Sequence, residues 1–70
     1  MNKKILHDLK TFLKRHVKWF DDTFPNDQPK EDTLDQVYTW LPHDVKLELT
    51  CKRFKHLFKL RLEHYRETKG

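Results

Sequence analysis

The chain has 70 residues, 36% of them hydrophobic and 37% charged, with a formal net charge of +4. This length makes one domain at most, close to the size at which a single hydrophobic core is only just sufficient. No apolar run approaches the roughly 20 residues of a membrane-spanning helix, and the lone Cys51 excludes an internal disulfide and a cysteine-rich zinc ribbon or knuckle.

The charge is segmented. Residues 1 to 20 carry Lys3, Lys4, Lys10, Lys14, Arg15 and Lys18 against Asp8, whereas residues 21 to 44 carry Lys30 against seven acids. Residues 45 to 70 return to an excess of bases. Two basic arms flank an acidic middle, which either neutralises itself within the fold or presents faces of opposite sign to different partners. A reducing, cytoplasmic location is expected from the single cysteine. The start Met1-Asn2-Lys3-Lys4 leads into an amphipathic stretch rather than the apolar core of a signal peptide.

From Lys3 to Phe20 the residues Ile5, Leu6, Leu9, Phe12, Leu13, Val17 and Phe20 recur at helical spacing, with Trp19 at the edge of the same face. The spacing predicts a helix over 3–20. Its opposite arc holds Lys3, Lys4, His7, Lys10, Thr11, Lys14, Arg15 and Lys18, a nearly continuous cationic strip. His16 falls within the apolar arc and is expected as a neutral core histidine with one hydrogen bond, rather than as a metal ligand or pH switch.

Residues 21 to 32 read as an acidic connector. Pro25 and Pro29 interrupt helical geometry, Asp and Asn favour local turns, and Phe24 is expected to pin the segment to the core. The acids are not spaced as a calcium loop and lack its glycine, so they are expected to be solvated or paired with the basic helices.

Thr33 to Gln36 matches a capping box and predicts a second helix over 33–41, with Leu34, Val37, Tyr38 and Leu41 on one side and Pro42 ending it. Pro42, His43 and Asp44 make a corner, Asp44 serving as N-cap of a third helix over 44–67. Leu47, Cys51, Phe54, Leu57, Phe58, Leu62 and Tyr65 line its main face, with Phe54 and Phe58 expected against the first helix. Cys51 reads as a small buried hydrophobe, and Arg61 as a stem on the core reaching an acid at the rim. Val45, Leu49 and Leu60 point away from that face, toward the first helix or another molecule. Residues from Glu67 to Gly70 are expected to fray. The expected fold is all-α: a compact three-helix domain, residues 1–70, with a long C-terminal helix.

Catalysis has no foothold. The chain has no serine, its only glycine is Gly70, and neither a Cys/His pair nor paired carboxylates stand at a working spacing, so neither enzyme nor cofactor is expected. His7, His43, His56 and His64 show no ligand spacing with Cys51, and no metal is expected. The cations point instead to phosphate. Lys3, Lys4, Lys10, Lys14, Arg15 and Lys18 on the first helix, with Lys52, Arg53, Lys55 and Lys59 on the third, are spaced along rigid rods as nucleic-acid binding requires, duplex DNA being favoured. Such side chains grip phosphates more than they read bases. The first helix is expected to matter more, because Glu48, Glu63 and Glu67 interrupt the bases of the third. A helix-turn-helix comparison of the second and third helices is poor: Pro42 replaces the usual turn glycine and the following helix is too long.

The rival expectation is a regulatory interaction protein, an inhibitor or adaptor of a larger protein, using Trp40, Leu49, Leu60 and the acidic connector. A homodimer would also cover surplus apolar surface. A first helix lying on an anionic membrane surface carries less weight, since the core needs the same apolar face. The stretch from Trp40-Leu41-Pro42-His43-Asp44 through Leu49-Thr50-Cys51-Lys52-Arg53-Phe54-Lys55-His56-Leu57 resembles the second half of an F-box, which in that family binds a ubiquitin-ligase adaptor. That family's leading Leu-Pro-x-Glu helix has no clear counterpart, and the corner lies one residue too close to Cys51. The resemblance implies an adaptor role and assigns no residue roles.

Overall fold

The computed structural model describes residues 2 to 69, and their regular structure is entirely helical: α1 (Lys3–Thr23), α2 (Glu31–Thr39), α3 (His43–Glu48) and α4 (Cys51–Lys69). The all-α class and the long C-terminal helix are as expected. The segment expected as one third helix is two, and Met1 and Gly70 lie outside the described residues.

α1 has 21 residues and is capped by Asn2, whose Oδ1 accepts from the Ile5 amide at 2.8 Å. Ile5, Leu9, Phe12, Leu13, Val17 and Phe20 are buried as its periodicity requires. The helix continues past Phe20 through Asp21, Asp22 and Thr23, where turn chemistry had predicted a break. Tertiary ion pairs override the local preference: the buried Asp21 carboxylate accepts from Arg66 Nε at 2.8 Å and from Lys69 Nζ at 2.5 Å. The chain then reverses at Phe24. The Asp27 amide donates to the Phe24 carbonyl at 3.2 Å, across Pro25 and an Asn26 with φ of 69°. Proline second and a left-handed asparagine third are the residues a type II turn demands. Phe24 is half-exposed rather than buried in the core, and packs 5.2 Å from Phe20 and 6.5 Å from Trp19.

α2 starts at Glu31, so Thr33 sits inside its first turn and the capping box is not formed; Lys30 holds the N-cap position without a side-chain bond. Glu31 and Asp32 in that first turn complement the positive end of the helix dipole. Leu34 and Val37 are buried, with Leu41 behind them in the corner. α3 likewise starts one residue early, placing Asp44 in its first turn rather than at its cap.

The break between α3 and α4 re-aims every side chain around it. Leu49 is extended, at φ −133° and ψ 119°, and Thr50 Oγ1 accepts from the Arg53 amide at 3.2 Å, capping α4. α3 packs on α1, turning Val45 and Leu49 into the core. Leu47, expected on the core face, is instead 74% exposed. Phe54 and Phe58 are fully buried against the first helix as expected, 6.1 Å from Phe12 and 6.2 Å from Phe20 respectively. Fourteen buried apolar residues among those described form one cluster, to which all four helices contribute, Leu49 and Leu41 closing it at the corners. α4 stays helical to Lys69, and its last turn is held by Lys69 on Asp21 and by Thr68 Oγ1, which donates to the His64 carbonyl at 3.1 Å. Arg61 is exposed and has no acid partner among the described residues. Arg66 instead takes the role expected of Arg61, donating to Asp21 and to the Phe24 carbonyl at 3.1 Å.

Candidate functional site

The acids select among the cations. On one side of α4, Lys55 Nζ meets Glu31 at 3.0 Å and Asp35 at 2.6 Å, while Lys59 Nζ meets Glu31 at 3.1 Å. Asp35, with Glu31 second, raises the Lys55 ammonium above the usual lysine range, and Lys55, then Lys59, holds Glu31 below the usual carboxylate range. Lys55 and Lys59, expected as free phosphate ligands, therefore clamp α4 to α2. Arg66 and Lys69 form the second clamp, and the hydrogen bond from Lys69, followed by that from Arg66, holds Asp21 low.

What remains is uneven. Lys3, Lys4, Lys10, Lys14, Arg15 and Lys18 are all exposed on α1, and none has an acid within ion-pair distance among the described residues. Lys52 and Arg53 stand exposed on the first turn of α4, likewise without an acid partner. The strip is interrupted only by the half-buried Asp8 and, in the last turn, by the exposed Asp22.

At the C-terminal end of this strip lies an aromatic shelf that the sequence showed only in part. Trp19 was legible at the edge of the apolar arc. Its partner Trp40 comes from beyond the end of α2, and their ring centres are 5.8 Å apart at 72°. The two stay 39% and 48% exposed. His16 lies beneath them, half-buried, with its ring stacked on Phe12 at 3.8 Å and tilted toward Trp40 at 5.9 Å. Its Nδ1 is 2.9 Å from the Phe12 carbonyl. A carbonyl only accepts, so Nδ1 carries the proton, which is the single hydrogen bond expected of it. Arg15 joins His16, Trp19 and Trp40 around the cleft between them.

A second feature lies between α1 and α4. Leu6, Leu9, Leu13, Leu57 and Leu60 line a groove of about 320 Å³ with Lys10, Arg61 and His64 at its edges and no acid in its wall. Leu60 is 50% exposed there. Of the three residues expected for a protein partner, Trp40 and Leu60 are at the surface. Leu49 is not: it is only 2% exposed, because the extended residue at the α3–α4 joint turns its side chain inward.

Cys51 is half-buried, and its thiol donates to Asp35 Oδ1 at 3.4 Å. Burial, and then that hydrogen bond, pushes the thiol above its usual range, the opposite of a reactive cysteine. Among the described residues no three His, Cys, Asp or Glu side chains converge as a metal site would require, and no helix is long and apolar enough to cross a membrane. The F-box-like stretch occupies the corner, α3 and the first two turns of α4. No family model, curated protein or solved structure matches the chain.

Proposed function

We propose that this is a small non-enzymatic regulatory protein that binds nucleic acid through the cationic strip of α1. The observation that carries this reading is the division of the cations: the acids of the chain hold Lys55, Lys59, Arg66 and Lys69, and leave the six of α1 facing solvent. A rigid rod of 21 residues, about 30 Å long, presents them at fixed intervals, so contacts to successive phosphates cost little backbone ordering. Lys52 and Arg53 extend the positive surface at a second place. Binding of this kind releases counterions and is sequence-tolerant. A fluorescently labelled duplex titrated by anisotropy between about 50 and 200 mM salt should lose affinity steeply, with a log–log slope reflecting several phosphate contacts. Absence of binding to both this duplex and a single strand at low salt, or binding indifferent to salt, refutes the reading.

A second reading is favoured by the α1–α4 groove. Its leucines, edged by Lys10, Arg61 and His64 without an acid, suit an amphipathic helix of acidic character from a protein partner, as an inhibitor or adaptor would meet. A second copy of this chain is the other occupant, and sedimentation across a range of concentrations distinguishes the two. Either role fits a cytoplasmic setting for a protein with one guarded thiol.

A further inference from the structure

We infer that the Trp19–Trp40 shelf takes an unpaired base, so that the nucleic acid bound is single-stranded rather than duplex. The inference rests on the α1 reading and adds to it the class of ligand. Two large indole rings are held at the surface, 39% and 48% exposed, in a molecule that buries fourteen other apolar side chains. They are not loose. Trp19 packs edge-on against Phe20 at 6.4 Å and Phe24 at 6.5 Å, and Trp40 is braced by His16, itself stacked on Phe12. Rigid rings keep their faces available without the ordering cost that a mobile side chain would incur on binding.

The charge beside them decides the ligand. Arg15 stands one helical turn before Trp19, at the i, i+4 spacing that makes side chains neighbours, and lines the same cleft. Lys18 and Lys14 follow along the strip, exposed. A ring face next to a row of cations is what a single strand requires: bases stack on the aromatic while the backbone follows the charge. A duplex satisfies only the charge, because its bases are already stacked and paired. An acidic peptide would meet the cations, but its carboxylates gain nothing from the electron-rich indole rings beside them.

Trp19 and Trp40 are the only tryptophans in the chain, so indole emission, excited at wavelengths that tyrosine does not absorb, reports on the shelf alone. Oligo(dT) of a dozen or so nucleotides, and a duplex of matching length, would be titrated separately at low salt. Oligo(dT) should bind more tightly and quench the indole emission, whereas the duplex should bind without quenching. Trp40→Ala should weaken oligo(dT) roughly fivefold to a hundredfold and leave duplex affinity unchanged, and Trp40→Phe, which keeps an aromatic face, should recover most of the loss. Circular dichroism checks that both variants keep their helices. Binding of oligo(dT) without quenching, or with affinity untouched by Trp40→Ala, overturns the shelf and leaves the cationic strip standing. Failure of both oligo(dT) and duplex to bind overturns the strip as well.

Discussion

The hydroxyl of Tyr38 in α2 donates to the main-chain carbonyl of Leu49, 2.6 Å away, at the point where α3 has ended and α4 has not begun. A helix that stops leaves carbonyls without partners, and this one is satisfied by a side chain eleven residues earlier in the chain. The bond fixes the joint that sends Leu49 inward and Leu47 outward.

Removing the hydroxyl therefore isolates an acceptor that water reaches poorly. Tyr38→Phe should cost about 1 to 2 kcal/mol, read from the urea midpoint, while the helical signal at low denaturant stays unchanged. An unshifted midpoint would show that the joint is held by apolar packing alone.

Phe54 is fully buried and touches Phe12, Tyr38 and Phe58. Phe54→Ala leaves a cavity at the meeting of three helices and should cost about 3 to 5 kcal/mol. For a domain whose whole stability is of the order of 5 to 15 kcal/mol, that is a large fraction of the total. Chemical denaturation measures it directly, and a midpoint equal to that of the wild type would contradict the packing described.

Asp21 makes stability depend on acid. Its carboxyl is held below the ordinary value by Lys69 and Arg66, so its contribution is complete above the unfolded-chain value near 4 and is lost as pH falls through the lower folded value. Glu31 and Asp35, lowered chiefly by Lys55, act in the same direction. The thermal midpoint should decline below about pH 4. Asp21→Asn should be less stable at neutral pH and show a shallower decline. On the alkaline side Lys69, raised by Asp21, keeps its contribution below the ordinary lysine value near 10.4 and loses it as pH rises beyond. Parallel acid curves for the two proteins would count against the clamp.

Lys14→Glu combined with Lys18→Glu should weaken oligonucleotide binding by about tenfold or more, and by more than Lys52→Glu with Arg53→Glu. All four residues are exposed, so both proteins should remain folded. Reversing Lys55 and Lys59 is a different experiment. It would set two further carboxylates against Glu31 and Asp35, and should lower the thermal midpoint before it says anything about ligands. Anisotropy at one fixed salt concentration compares the first two variants, and equal losses would remove α1 from its leading place.

The all-α class, the apolar faces of α1 and of α4, and the place of Phe54 and Phe58 on the inner face of the long helix were legible in the sequence. These follow from a 3.6-residue period that each segment carries within itself. The tertiary structure decided the last turn of α1, the break at Leu49 and Thr50, and which cations are left for a ligand. The reason is separation along the chain. Asp21 is paired with residues 45 and 48 positions later, and Lys59 with Glu31 28 positions earlier. With eleven acids and fifteen bases in the chain, no local pattern states which acid meets which base; only the packing of α1 and α2 against α4 brings those particular partners within reach.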